Sequence, residues 1–370
     1  MTARSDRLSV TDDDALCAVM RGEDVPISEA ILAAARQHDM HLLLAQANAR
    51  AADNVIRASL AADARAAAIA DLLREGELRR LLGLLAAAGV HALLLKGAAL
   101  AYTVYRAPHL RPRGDVDLFI TPLDLEAADQ ALVAGGWLRA VEHDSAAITT
   151  QRHYVLGGTP RFAEHLDLHW KIAVPRVFAD ALRFDEVASR AVPITALGAN
   201  AWALSSGDAL FLACLHRVAH HQDTADLLWL WDIHLLASSL SDGERAAFIG
   251  LADQRSMRAV CARGLELALA RFATPRAAEL IGSLQPFLHD AEEPSATFLR
   301  GGMRQVDLLR SDLSAVKTWR AGIALMSAHL FPNAAYVKSQ YPRWPAAALP
   351  FAYIDRIVRG APKWFRGPVE

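Results

Sequence analysis

The sequence predicts an α+β protein, mostly helical, in which a small mixed β-sheet core is flanked by N-terminal and C-terminal helical regions. Three observations predict it. Residues 27–90 are rich in alanine and leucine and contain no proline, as packed helices require. Residues 90–172 carry short apolar or alternating runs separated by turn signals. From Ser205 onward the helical periodicity returns. The expected division is an N-terminal helical region at 1–88, an α/β core at 89–190, a helical domain at 191–290 and a helical and loop extension at 291–370.

In the first region Ile31, Leu42, Leu43 and Leu44, then Leu72, Leu73, Leu81 and Leu84, recur at helical spacing. At Gly89 the pattern changes. Val90–Leu95 reads as a strand, Lys96-Gly97 as a tight turn, and the small residues Ala98–Tyr105 as a helix. A loop rich in proline and arginine, Arg106–Gly114, leads into Asp115–Ile120, which alternates polar and apolar residues like a half-buried strand. Thr121 then caps a helix with Pro122 at its first position, and Gly135-Gly136 closes it. Strands are expected over Thr149–Leu156 and Arg161–Ile172, with a turn at Gly157–Pro160. Ser205 followed by Asp208 resembles a capping box opening a helix through His221. Further helices are expected over Leu227–Leu240, Asp242–Gln254, Met257–Phe272 and Arg276–Phe287.

Composition narrows the function. Among 370 residues, 39 Lys and Arg stand against 41 Asp and Glu, a net charge of −2, so no broad grip on nucleic acid is expected. No apolar run is long enough to span a membrane, and Met1–Leu16 lacks the apolar core of a signal peptide. Cys17, Cys214 and Cys261 form neither a CxxC pair nor a disulfide framework, which fits a cytoplasmic setting. The oligomeric state is not encoded in any motif.

The chemistry concentrates in Asp115-Val116-Asp117. On a strand, residues two apart face the same way, so both carboxylates project together and need cations between them. Hard divalent ions such as Mg²⁺ prefer carboxylate oxygen and bridge to substrate phosphate. Three neighbours strengthen the reading. Lys96-Gly97 at a helix start suits a phosphate, through backbone N–H groups and a point charge. Arg106, Arg111 and Arg113 crowd the preceding loop, and guanidinium forks match phosphate oxygens. His165, Asp167 and His169 alternate on one strand face, where Asp167 could be a third carboxylate. Alternatively, the two histidines and Asp167 form a zinc site, or the strand presents polar residues to water. His216 and His220 lie four apart with His221 beside them, and without HExxH they read as structural or substrate-lining. Asp232, inside an apolar run, needs a buried partner, Arg217 or a nearby histidine. The basic and aromatic tail Arg356–Arg366 offers contact with a membrane surface or an acidic partner, but Gly360 and Pro362 interrupt any helix, and a solvated tail is the preferred reading.

Together, Leu93-Leu-Leu-Lys-Gly-Ala-Ala-Leu100, Tyr105-Arg106, Arg113-Gly-Asp-Val-Asp-Leu-Phe-Ile120 and Leu166-Asp-Leu-His-Trp170 resemble the uncharacterised nucleotidyltransferase family of the DNA polymerase β-like superfamily. Leu204-Ser-Ser-Gly-Asp208, His216, His220 and Leu228-Trp-Leu-Trp-Asp232 fit the same pattern. The resemblance implies a two-Mg²⁺ site. Asp115 and Asp117 would bind both ions, Asp167 would be the third carboxylate and candidate base, and Gly97 would hold the triphosphate of an NTP. Lys96, Arg111 and Arg113 would contact phosphates. The chain departs from the superfamily where Lys96-Gly97 replaces Gly-Ser or Gly-Gly, and where the segment up to Asp115 is longer. The expected activity moves an NMP from an NTP, ATP among them, to a hydroxyl or similar group of a small-molecule or peptide acceptor, releasing pyrophosphate. The alternatives are a nucleotide-binding scaffold without turnover and a zinc-dependent hydrolase built on His165, Asp167 and His169.

Overall fold

A computed structural model describes residues 10–47, 52–141, 148–156, 165–284 and 293–365. Four helices open the chain: α1 (Val10–Met20), α2 (Glu29–Gln37), α3 (His41–Ala47) and α4 (Asn54–Ala87). The last has 34 residues and therefore spans about 51 Å. Asp53 caps it by accepting hydrogen bonds from the Val55 and Ile56 amides. Leu78, Leu81, Leu82 and Leu85 form its buried stripe at the i, i+3, i+4, i+7 spacing of an amphipathic helix.

The core follows: β1 (Leu93–Leu95), α5 (Lys96–Thr103), β2 (Asp115–Phe119), α6 (Leu125–Ala134), β3 (Trp137–Arg139), β4 (Gln151–Leu156) and β5 (His165–His169). After two short helices, α7 (Arg176–Ala179) and α8 (Phe184–Ala188), the chain adds β6 (Val192–Pro193) and β7 (Trp202–Ala203). These strands make one mixed sheet in the order β3-β4-β5-β2-β1-β7-β6. The pairs β2–β5 and β1–β7 are parallel and the others antiparallel. The expected mostly helical α+β class is the observed one.

Strand alternation divides the core in two. Leu94, Val116, Leu118, Leu166 and Leu168 face α4 and α6, where they pack with Leu81, Leu85, Ala128 and Leu132. Leu93, Leu95 and Phe119 face the other way. There they join a cluster shared by the N-terminal helices (Leu16, Ile31, Leu44) and the C-terminal ones (Leu215, Ile233, Leu265). Each fully buried leucine contributes roughly 2 kcal/mol, so both faces of the sheet are firmly covered.

The C-terminal layer is α9 (Ser206–His221), α10 (Leu227–Ser239), α11 (Asp242–Gln254), α12 (Arg258–Phe272) and α13 (Ala277–Leu284). These agree with the expected helices to within a few residues, and residues 285–287 lie outside the described residues. Ser205 caps the helix by accepting from the Asp208 amide, but its hydroxyl rather than its backbone N–H donates to the Asp208 carboxylate, so the expected capping box is only half formed. The turn at 157–160 and the first residues of the strand expected from Arg161 also lie outside the described residues. The final unit is α14 (Gln305–Ser314), α15 (Trp319–Leu330), α16 (Ala334–Gln340) and α17 (Leu349–Phe365). Here the structure corrects the sequence reading, since α17 runs through both Gly360 and Pro362. Pro362 lies in the last turn, so it removes a single backbone bond, the one its amide would give to the Val358 carbonyl. Among the described residues no helix is long and apolar enough to cross a membrane.

Candidate functional site

The register of β2 on β5 builds the site. Asp115 pairs with His165, Asp117 with Asp167 and Phe119 with His169. Since alternate residues share a face, Asp115, Asp117, His165, Asp167 and His169 all project away from the α4 side. On the other flank Leu95 of β1 pairs with Asp117, so Lys96 emerges beside that carboxylate.

Lys96 makes the strand-to-helix turn with φ of 49°, in the left-handed region. A side chain there costs roughly 1–2 kcal/mol. Its ammonium donates to Asp117 Oδ1 at 2.6 Å, and His169 Nε2 lies 2.8 Å from the same oxygen. An ionised carboxylate only accepts, so Nε2 carries the proton of that bond. Burial pushes the Asp117 carboxyl up, but the Lys96 charge and then the His169 hydrogen bond outweigh it. The group therefore titrates well below the usual carboxylate range. No hydrogen bond reaches Asp117 Oδ2 among the described residues. His169 is buried, and its Nδ1 has no partner there either.

Asp167 is held from β4. Gln151 Nε2 donates to its Oδ2 at 3.0 Å, and His153 Nδ1 lies 2.8 Å from its Oδ1. His165 Nδ1 in turn lies 3.2 Å from His153 Nε2, with the two rings stacked at 5.2 Å. The three groups form a chain, His165 to His153 to Asp167. Ligand atoms of Asp117, Asp167 and His169 lie within 4.8 Å of one another. Carboxylate oxygen suits a hard divalent cation, and His169 adds a nitrogen to the set. Asp115 stands exposed at the mouth, its carboxyl pushed up by partial desolvation and then by the Asp117 charge.

Gly97, Arg111 and Arg113 lie on the same cavity as the carboxylates, and both arginines already have carboxylate partners. Arg111 is buried on Asp232, with its Nε at 2.9 Å and Nη2 at 2.7 Å from the carboxylate oxygens. Tyr105 donates to the same carboxylate at 2.6 Å. The partner of Asp232 is thus Arg111 with Tyr105, not Arg217, which is buried on Asp223. Arg113 donates to Asp71 of α4 at 2.5 Å and lies over the Tyr102 ring. Arg106 is exposed. Gly97 has no left-handed φ, since Lys96 takes that strain. A methyl group on Gly97 would sit 3.6 Å from Arg111 and Arg113, in ordinary contact.

Opposite the carboxylates, α9 and α10 close a cavity of about 780 Å³. Lys96, Asp115, Asp117 and Asp167 line one side, and His216, His220, His221 and Trp229 the other. His221 packs on Trp229 at 4.3 Å between centroids. Burial and then the nearby Lys96 charge lower all three histidines, His220 to about 4 and His216 well below its ordinary value. At neutral pH this wall is uncharged and aromatic, facing an anionic edge.

Sequence reasoning placed His169 only in the zinc alternative, although its two-residue spacing from Asp167 already put it on that face. Gln151 and His153 were missed as site residues. Their alternation on β4 was visible, but its register on β5 was not. The pattern of the uncharacterised nucleotidyltransferase family matches residues 28–273, and the chain belongs to that family. No curated protein matches the chain.

Proposed function

We propose that this chain transfers a nucleoside monophosphate from an NTP to a hydroxyl or similar group of a small-molecule or peptide acceptor, releasing pyrophosphate. The observation that carries the reading is that Asp117 and Asp167 stand side by side on parallel strands, with Lys96 bonded to Asp117 and all three lining the cavity. The free cysteines Cys17, Cys214 and Cys261 fit a cytoplasmic setting.

Asp117 and Asp167, with the nitrogen of His169, fit a divalent cation such as magnesium: their ligand atoms lie within 4.8 Å of one another and Asp117 Oδ2 has no hydrogen bond among the described residues, whereas Asp115, on the same strand face, lies outside that group. Bound there, Mg²⁺ would supply Lewis-acid polarisation of phosphate oxygens and of the acceptor hydroxyl. The chain's own groups do the rest. Lys96 offsets the charge of Asp117 and stands beside the cavity to meet a phosphate. Gly97, at the start of α5, leaves its backbone open to the triphosphate. Arg111 and Arg113, fixed by Asp232 and Asp71, hold the loop that carries Asp115. Asp167 takes the acceptor proton, and His153 with Gln151 fixes its orientation. The neutral wall of His216, His220, His221 and Trp229 excludes water and offers a flat surface to a base or acceptor.

The test is pyrophosphate release and adduct mass after incubation with each NTP, Mg²⁺ and a cell extract. The expected product is an acceptor heavier by one NMP, lost on chelation. One feature favours a second reading, a nucleotide-binding chain without turnover: Lys96 and His169 both already occupy Asp117 Oδ1. Calorimetric binding of NTP with no pyrophosphate released would favour it. The expected zinc trio of His165, Asp167 and His169 is not the set brought together: His165 turns to His153, and Asp117 takes its place beside Asp167 and His169.

A further inference from the structure

The last helix carries an apolar face that nothing in the described chain covers. Phe351, Ile354, Val358 and Phe365 of α17 are between 58% and 66% exposed. At 100° per residue they fall on one side, and the exposed residues between them on that side are Ala361 and Pro362. Polar contacts on the inner side fix this orientation. Tyr353 donates to the Pro332 carbonyl, Arg356 to the His329 carbonyl, and Tyr341 to Asp355. Trp364 packs its ring against His329. Turning the helix to hide its apolar face would break all of these contacts. The neighbouring α15 adds Trp319 and Ile323, four apart and both exposed.

Charge says what covers the face. Residues 305–365 hold eight Lys and Arg against three Asp, a net of +5, whereas the rest of the chain holds 31 against 38, a net of −7. Two copies pairing through this face would bring +5 against +5. A bilayer with acidic headgroups supplies both an apolar layer for the aromatic side chains and the opposite charge. We propose that the C-terminal unit docks α17 flat on an anionic lipid surface, with Phe351, Ile354, Val358 and Phe365 entering the headgroup boundary. Arg359 at the rim and Arg320 beside Trp319 face the lipid phosphates. At 17 residues and with a charged inner side, the helix lies on the membrane and does not span it.

The full chain is centrifuged with vesicles of phosphatidylcholine alone and with vesicles enriched in phosphatidylglycerol. The expected result is binding to the anionic vesicles that weakens as salt rises. A variant combining Phe351→Ser, Ile354→Ser and Val358→Ser, all exposed, should keep its circular dichroism and lose at least ~10-fold in vesicle affinity. Arg320→Gln with Arg359→Gln should weaken binding to the anionic vesicles only. Equal binding to both vesicle types, or binding unchanged in the triple serine variant, overturns the proposal. So does a wild type that ignores vesicles, whether it sediments as a monomer or as a dimer that the serine variant abolishes. Nucleotide turnover plays no part in the readout, so this proposal and the proposed reaction stand or fall separately.

Discussion

Asp117 and Asp232 are both buried aspartates paired with a cation, and both line the same cavity, yet they are finished differently. Asp232 has both oxygens filled, by the two-pronged Arg111 and by Tyr105. Asp117 crowds Lys96 and His169 onto one oxygen and leaves the other without a bond. A buried charge that is fully satisfied is a structural joint, here tying the arginine loop to α10. One that is half satisfied and opens on a cavity keeps capacity for a ligand. Under the reaction proposed above, Asp117 would be the functional aspartate of the two and Asp232 its support.

Exchanging each for asparagine breaks or confirms that contrast. Asp117→Asn should lower NTP-dependent pyrophosphate release at least ~1000-fold, about 4 kcal/mol in the barrier. It should lose no more than ~2 kcal/mol of stability, because Lys96 opens on the cavity. Asp232→Asn should do the reverse in stability, costing about 3–5 kcal/mol by leaving the Arg111 charge buried without its partner. Denaturant melts of both variants beside the turnover assay decide it. If Asp117→Asn kept wild-type turnover, the assignment of the site would fall.

The two sides of the cavity should also answer acid in separate ranges. His220 titrates at about 4 in the folded chain, below its ordinary value of about 6.5. The unfolded chain therefore binds a proton that the folded one refuses, and stability falls as pH drops from about 6.5 to about 4. That shift corresponds to about 3 kcal/mol, and His216 adds to it in the same direction. Asp117 is depressed instead, so its contribution is complete above its unfolded value near 4 and is lost only below it. Equilibrium unfolding of wild type and His220→Gln at pH 7, 6, 5 and 4 should show a shallower decline in the variant. Parallel declines would mean that His220 is not held neutral.

Much of this was legible in one sequence. Alternation at Asp115–Ile120 and at His165–His169 gave both strands and their shared face, and the Ser205 cap and four following helices were readable from local signals. What escaped depends on distance. Arg111 meets Asp232 across 121 residues, and no local rule chooses that partner over Arg217. The strands β6 and β7 are two residues each, too short to carry a period. Gly360 and Pro362 weaken a helix locally, but the contacts of Tyr353, Arg356 and Trp364 hold α17 together around them. The tight turn at Lys96-Gly97 was readable, but not that the lysine, in place of the glycine, takes its left-handed φ.

That last reversal allows the finest test of the contrast. If Lys96 is kept in a left-handed conformation because its ammonium must reach Asp117, then strain and charge can be separated at one position. Lys96→Met removes the charge and keeps the side-chain strain, whereas Lys96→Gly removes both. Glycine should therefore melt above methionine by about 1 kcal/mol. Both variants should lose turnover alike, since neither offers a cation to Asp117 or to a phosphate. Equal melting of the two would mean that the turn is not strained. Turnover retained by either would mean that Lys96 is a spectator of the carboxylate it now contacts, and that Asp117 resembles Asp232 more closely than its open oxygen suggests.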